Sequence, residues 1–171
     1  MALLSLSGPL TSQHDRYPGG MMRRMTETPG ELHAVLPIDL RLVDWKRDHL
    51  SLNDHKAHHY ERSRREQLWQ DLAARAAHQM RVGPVPGERA RIEIWYRFPD
   101  NRRREVGNLQ PTSKAIVDGL VQREERVKGK ARRRPFVQLL PDDSDRYLVG
   151  PDNRRDPVNG PHQVVVRIYR T

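Results

Sequence analysis

RARIEIWYRF, running from Arg89 to Phe98, alternates without a break. Ala90, Ile92, Ile94, Tyr96 and Phe98 fall on one side, and Arg89, Arg91, Glu93, Trp95 and Arg97 on the other. A period of two carried by β-branched and aromatic residues marks a strand that buries one face. Pro99, Asp100 and Asn101 then turn the chain out. A half-buried strand needs partners beside it and a layer over its apolar face, and the flanking sequence offers both.

Upstream, Leu68, Leu72, Ala76 and Met80 recur at a spacing of four, with Trp69 and Ala73 widening the stripe. That pattern predicts a helix over about His58–Met80, stopped by Gly83 and Pro84. The loop SLND, Ser51–Asp54, leads into its start. Before that, LHAVLPIDLRL places Leu32, Ala34, Leu36, Ile38, Leu40 and Leu42 on one side of a strand, in which Pro37 signals an edge position or a break. Downstream, Pro111 suits the first turn of a second helix whose buried face is Ile116, Val117, Leu120 and Val121. Gln122–Arg134 is charged and lacks apolar periodicity, so it reads as an exposed loop or a frayed helix extension. RYLV (146–149) and QVVVRIY (163–169) read as short strands joined by a Gly/Pro/Asn-rich connection over 150–161. The order strand, helix, strand, helix, strand, strand predicts an α+β fold: a small mixed β-sheet packed with two main helices.

With 171 residues and 36% apolar content, the chain suits one domain over 31–171 behind a disordered lead-in at 1–30, with a basic inserted loop at about 122–135. Met21, Met22 and Met25 lie within that lead-in, so the start codon is expected at Met1 or at one of these. No apolar run reaches the roughly 20 residues of a membrane span. There is no cysteine, which excludes disulfides and thiolate metal sites and fits a cytoplasmic protein. Lys and Arg outnumber Asp and Glu 31 to 22, a net charge of +9 that a polyanionic partner would reward. The excess is concentrated: Arg102–Arg134 holds 11 Lys/Arg and 4 Asp/Glu, opening on Arg102, Arg103 and Arg104 and closing on Arg132, Arg133 and Arg134. Guanidinium groups suit phosphate oxygens, so these six point to nucleic acid; a solvated loop is the plain alternative.

Against that charge stands an acidic knot, LLPDDSDRYLVGPD (139–152), with Asp142, Asp143 and Asp145 within four residues. Hydrolysis of a phosphodiester needs its charge neutralised and a water activated. Mg²⁺ does both and takes carboxylate and water oxygens, which Asp142 and Asp143 offer after the turn at Pro141. A second acid, Glu105, ends the arginine run just past the strand at Arg89–Phe98. Lys114 and Asp118, four apart on the second helix, are either an ordinary ion pair or a cation aimed at the phosphate. His55, His58 and His59 raise a rival zinc site, against phosphate contacts or plain solvation. Trp45, Trp69 and Trp95 read as packing residues rather than base platforms.

Together, RRREVGNLQPTSKAIVDGLV (102–121) and LLPDDSDRYLVGPD resemble the RusA family of Holliday junction resolvases, with Asn108, Lys114, Asp118 and Asp142-Asp143 falling in the family's order. SLND is similar to the family's N-terminal loop. The likeness spans about 32–169 and is specific over 102–152. It implies a homodimeric, Mg²⁺-dependent endonuclease of recombination and repair that nicks four-way DNA junctions. Its essential acids would fall on Glu105, position 107 and Asp143, with the helix lysine at Lys114. Two departures stand out: Glu105 replaces the family's usual Asp, and position 107 is Gly107. EVGNLQPT matches an acid-x-x-Asn-x-x-Pro-Thr pattern of some phage branches, and Pro111–Ser113 and the basic stretch before Phe136 look inserted relative to shorter members. The expected metal ligands are Glu105, Asp142 and Asp143. The expected DNA contacts are Arg102, Arg103, Arg104, Asn108, Lys114 and Arg132–Arg134. Two other readings remain: a branched-DNA-binding protein that lost an acid at Gly107, and a basic RNA-binding protein.

Overall fold

The computed structural model describes residues 30–54, 58–86, 89–121, 124–127, 130–133 and 139–171. Apart from Gly30, the lead-in expected at 1–30 lies outside them, as do His55, Arg134 and residue 135.

Four strands form one sheet in the order β1 (Glu31–Ile38), β6 (Gln163–Arg170), β2 (Ala90–Arg97), β5 (Leu148–Arg155). β6 runs antiparallel to both β1 and β2, and β5 runs parallel to β2, so the sheet is mixed. As the alternation predicts, Ala90, Ile92, Ile94, Tyr96 and Phe98 are all buried. They join Ala34, Leu36 and Ile38 of β1 and Val164, Val166 and Ile168 of β6 in one apolar core. Pro37 sits on an edge strand, where a missing N–H costs no ladder bond.

Two helices cover that face: α2 (His59–Gln79) packs against β1, and α3 (Gln110–Leu120) against β5 and α2. Trp69, Leu72, Ala73, Ala76 and Ala77 form the buried stripe of α2, while Met80 is exposed at its C-cap. The helix ends before Gly83, where Arg81 takes a left-handed φ of 51° and its N–H bonds the His78 carbonyl. Gly119 lets the two helices close up, since a Cβ there would meet the Gln70 carbonyl oxygen at 2.2 Å.

Three expectations need correction. The strand signal of 32–42 ends at Ile38, and Leu42 and Leu32 are exposed; a register shift between Leu32 and Ala34 takes Leu32 out of the alternation. The basic insertion is a two-stranded hairpin, β3 (Glu124–Val127) and β4 (Lys130–Arg133), rather than a loop or helix extension. Its register sets Glu124 opposite Arg133 and Glu125 opposite Arg132. The connection at 150–161 is strand as far as Arg155, because pairing with β2 overrides the poor strand propensity of Gly, Pro, Asp and Asn.

A short helix, α1 (Trp45–Asp48), precedes the SLND loop. Asp44 caps it by accepting the Lys46 N–H at 3.1 Å. Asp48 is fully buried, bonded by Arg47 at 3.0 Å and Arg64 at 2.8 Å, and its carbonyl accepts the Trp69 indole N–H at 2.8 Å. Hydrogen bonds from Arg47 and then Arg64 outweigh its burial and hold this carboxylate well below the ordinary range.

Candidate functional site

The acidic turn is set by two leucines. Leu139 and Leu140 are buried, and their N–H groups both donate to the Leu120 carbonyl at the end of α3, at 3.0 and 3.2 Å. The Leu139 carbonyl accepts the Val85 N–H. The chain therefore emerges at Pro141 against α3, with Asp142 exposed and Asp143 half-buried. Asp142 accepts the Asp143 N–H at 2.7 Å, which fixes the turn.

Lys114 lies one turn into α3, and its ammonium donates to Asp118 at 2.9 Å and also to Asp143. One cation thus touches two carboxylates from separate elements, so their oxygens lie within about 6 Å of each other. Burial opposes the charge on Lys114, but its bonds to Asp143 and Asp118 outweigh that and raise its pKa. The same contact, led by the Lys114 hydrogen bond, lowers the pKa of Asp143. The ordinary helical ion pair between Lys114 and Asp118 is present, and Asp143 is added to it.

Glu105 stands apart from this pair, ahead of the N-terminus of α3. It caps a 3₁₀ turn, Val106–Leu109, that runs directly into the helix, and its carbonyl accepts the Asn108 N–H. This turn is held from three sides. Asn108 gives its carbonyl to the Leu52 N–H of the SLND loop at 2.9 Å. Buried Thr112 accepts the Leu50 N–H and donates to the Leu50 carbonyl, both at 2.8 Å. A polar chain crosses the core below: Tyr96 hydroxyl to Ser113, Ser113 to the Asn153 side chain, and Asn153 to the Val106 carbonyl, at 2.6, 2.6 and 2.9 Å. Since Ser113 donates onward, Tyr96 donates to Ser113; burial raises the Tyr96 pKa, so it keeps that proton. Thr112 and Ser113, within the three residues that look inserted, are both fully buried in the first turn of α3.

The arginine run is less uniform than its sequence. Asp100 takes Arg104 in a two-bond grip and accepts the Arg102 N–H, and these arginines, Arg104 first, lower its pKa to about 2. Arg155 braces the loop by donating to the carbonyls of Arg102 and Asp100. Arg104 lies over the Phe98 ring at 4.7 Å. Arg102 and Arg103 remain exposed. Arg132 and Arg133 fall on β4, and Arg134 lies outside the described residues.

Glu105, Arg103, Arg104 and Asn108 border a cleft of about 680 Å³, opposite Trp45, His49 and His162. Trp45 is nearly parallel to His162 at 4.7 Å and to His49 at 5.7 Å. Burial, and then Arg104, lower the pKa of His162 below the ordinary imidazole value. No periodicity announces this cleft, because Trp45 and His49 come from a single helical turn and meet His162, far along the chain, only in the fold. The contacts of Arg155 to the Asp100 and Arg102 carbonyls likewise join residues distant in sequence.

The structure therefore brings Lys114, Asp118, Asp142 and Asp143 together and sets Glu105 and Asn108 on a cleft lined by none of these four. Among the described residues, no three His, Asp or Glu side chains cluster as a metal site. His58 and His59 are exposed at the start of α2. No described helix is long and apolar enough to cross a membrane. No protein-family model matches the chain, and no curated protein matches it.

Proposed function

We propose that the chain is a Mg²⁺-dependent endonuclease that cuts four-way DNA junctions as a cytoplasmic homodimer, after the pattern of the RusA family it resembles. The observation that supports this reading best is the contact between Lys114 and Asp143. Two residues nominated for chemistry, 29 apart in the chain, meet through their side chains. The donor set suits Mg²⁺, being all carboxylate oxygen with no sulfur in the chain's cysteine-free surroundings. Glu105 lines the cleft and is not clustered with Asp143 and Asp142, so these two would hold the ion, with waters completing its shell. Its chemistry there is that of a Lewis acid for the phosphate and of a group that lowers the pKa of the attacking water.

The chain's own residues do the rest. With an ion bound, Asp143 would face it, and Lys114, paired with Asp118, would place its ammonium to stabilise negative charge developing on the phosphate. Arg102 and Arg103 would grip the backbone, joined by Arg132 and Arg133 of β4 and by Arg134, while Arg104 stays with Asp100 as part of the loop's frame. Such contacts orient DNA without reading its sequence.

The decisive assay is nicking of a four-way junction with and without Mg²⁺. Symmetric, metal-dependent nicks with 5′-phosphates are expected, with linear duplex left intact. A second reading, binding without cutting, is favoured by the missing acid at Gly107. Junction binding with no nicking in any divalent metal would establish it instead, and a preference for RNA over branched DNA would remove both.

A further inference from the structure

The cleft beside Glu105 has a chemistry that phosphate gripping does not require. We propose that it seats an unpaired nucleobase of the bound DNA strand next to the scissile phosphate; this rests on the branched-DNA reading above. Its volume, about 680 Å³, lies in the range of sites for molecules of nucleotide size, roughly 300–1,000 Å³. One wall is a set of flat rings in a common orientation: Trp45 is tilted only 12° from His162 and 7° from His49. A base entering parallel to them extends the stack, as bases do on aromatic platforms in single-strand binding proteins. These rings are half-buried rather than sealed in the core, and all three line the cleft.

The rim supplies what the rest of a nucleotide needs. Arg103 and Lys46 line the cleft and pair with no acid among the described residues, which leaves two cations for the phosphates on either side of the base. Asn108 uses only its backbone groups to hold the turn, on Leu52 and Glu105, and its side-chain amide bonds no described residue. A free amide with one donor and one acceptor edge suits the hydrogen-bonding edge of a base. A paired base in a duplex has both faces covered and cannot enter. At a crossover, unstacking costs least, so a branched substrate presents the needed nucleotide cheaply. The cleft then selects junctions by the base that can leave its stack, and it does so at Glu105, where the strand is to be cut.

The test measures affinity of the full chain, without divalent metal, for a four-way junction and for versions in which each crossover nucleotide in turn is made abasic. Removal of the seated base should weaken wild-type binding about tenfold. His162→Ala should weaken binding to the intact junction similarly and respond no further to the abasic change. Tight junction binding by wild type that ignores every abasic position overturns the pocket and leaves the nuclease reading standing. Multiplying losses from His162→Ala and base removal would also overturn it. Failure to bind any junction would end both. Excess thymidine monophosphate should not displace the junction; displacement would make this a free-nucleotide site and overturn the strand assignment. The abasic arm alters only the DNA, so it stands even if His162→Ala folds poorly.

Discussion

The acidic turn and the cleft beside Glu105 are built on opposite principles. At the turn, Asp143 and Asp118 are joined by a half-exposed lysine, and the contact is charge on charge between flexible side chains. At the cleft, the walls are fixed by buried bonds between side chains and backbone: Thr112 to Leu50, Asn153 to Val106, and Trp69 to Asp48. The first arrangement can be exchanged for another cation at little cost to the fold, because exposed ion pairs contribute little to stability. The second cannot be undone without stranding buried polar groups. On the proposed function, a site for a metal and a phosphate would be closed by a replaceable pair, while the cleft rests on a rigid frame.

Asp143→Asn tests this contrast most sharply. Junction nicking should fall at least about a hundredfold, a barrier increase of roughly 3 kcal/mol. The urea midpoint should move little, since the lost pair is partly exposed. A large loss of stability with retained nicking would reverse the roles assigned to the two regions.

Asp48→Asn addresses the frame that carries Trp45. A fully buried carboxylate bonded to two partly exposed arginines should cost about 2 kcal/mol when neutralised, less than a wholly buried pair. Its folded pKa is depressed from 3.8, so the unfolded chain takes up protons first as pH falls. Its contribution is therefore complete at neutral pH and drains away below about pH 4. Denaturation midpoints of wild type should drop over that acid range, and those of Asp48→Asn should drop less; parallel curves would discount Asp48.

Thr112→Val keeps the shape but leaves both the N–H and the carbonyl of Leu50 without their partner. A loss of about 1–2 kcal/mol is expected by urea unfolding, with weaker junction binding through the displaced SLND loop. Unchanged stability would mean that the loop finds other partners.

The smallest structural effect belongs to Gly107→Asp. A Cβ there meets nothing within 4 Å, so stability should hold within about 0.5 kcal/mol. If the nuclease reading is right, the added carboxylate should raise Mg²⁺-dependent nicking severalfold at low metal concentration. An unchanged metal dependence would show that position 107 does not face the ion.

Much of this was legible beforehand. β2, the buried faces of α2 and α3, and the edge position of β1 followed from periodicity and one proline, because burial on a regular element leaves a regular trace. Local acidity and basicity were legible too, in Asp142-Asp143 and Arg102–Arg104. What those charges do was not. That Arg104 belongs to Asp100, that Asp143 reaches Lys114, that β5 extends through a Gly-Pro pair, and that the charged stretch after α3 forms a hairpin all depend on residues distant in sequence. The chain itself determined which faces must be hidden from water, since hydrophobic burial is written residue by residue. Only the tertiary structure decided which charges are neutralised and which stay available, because an ion pair depends on separation in space, and separation along the chain says nothing about it.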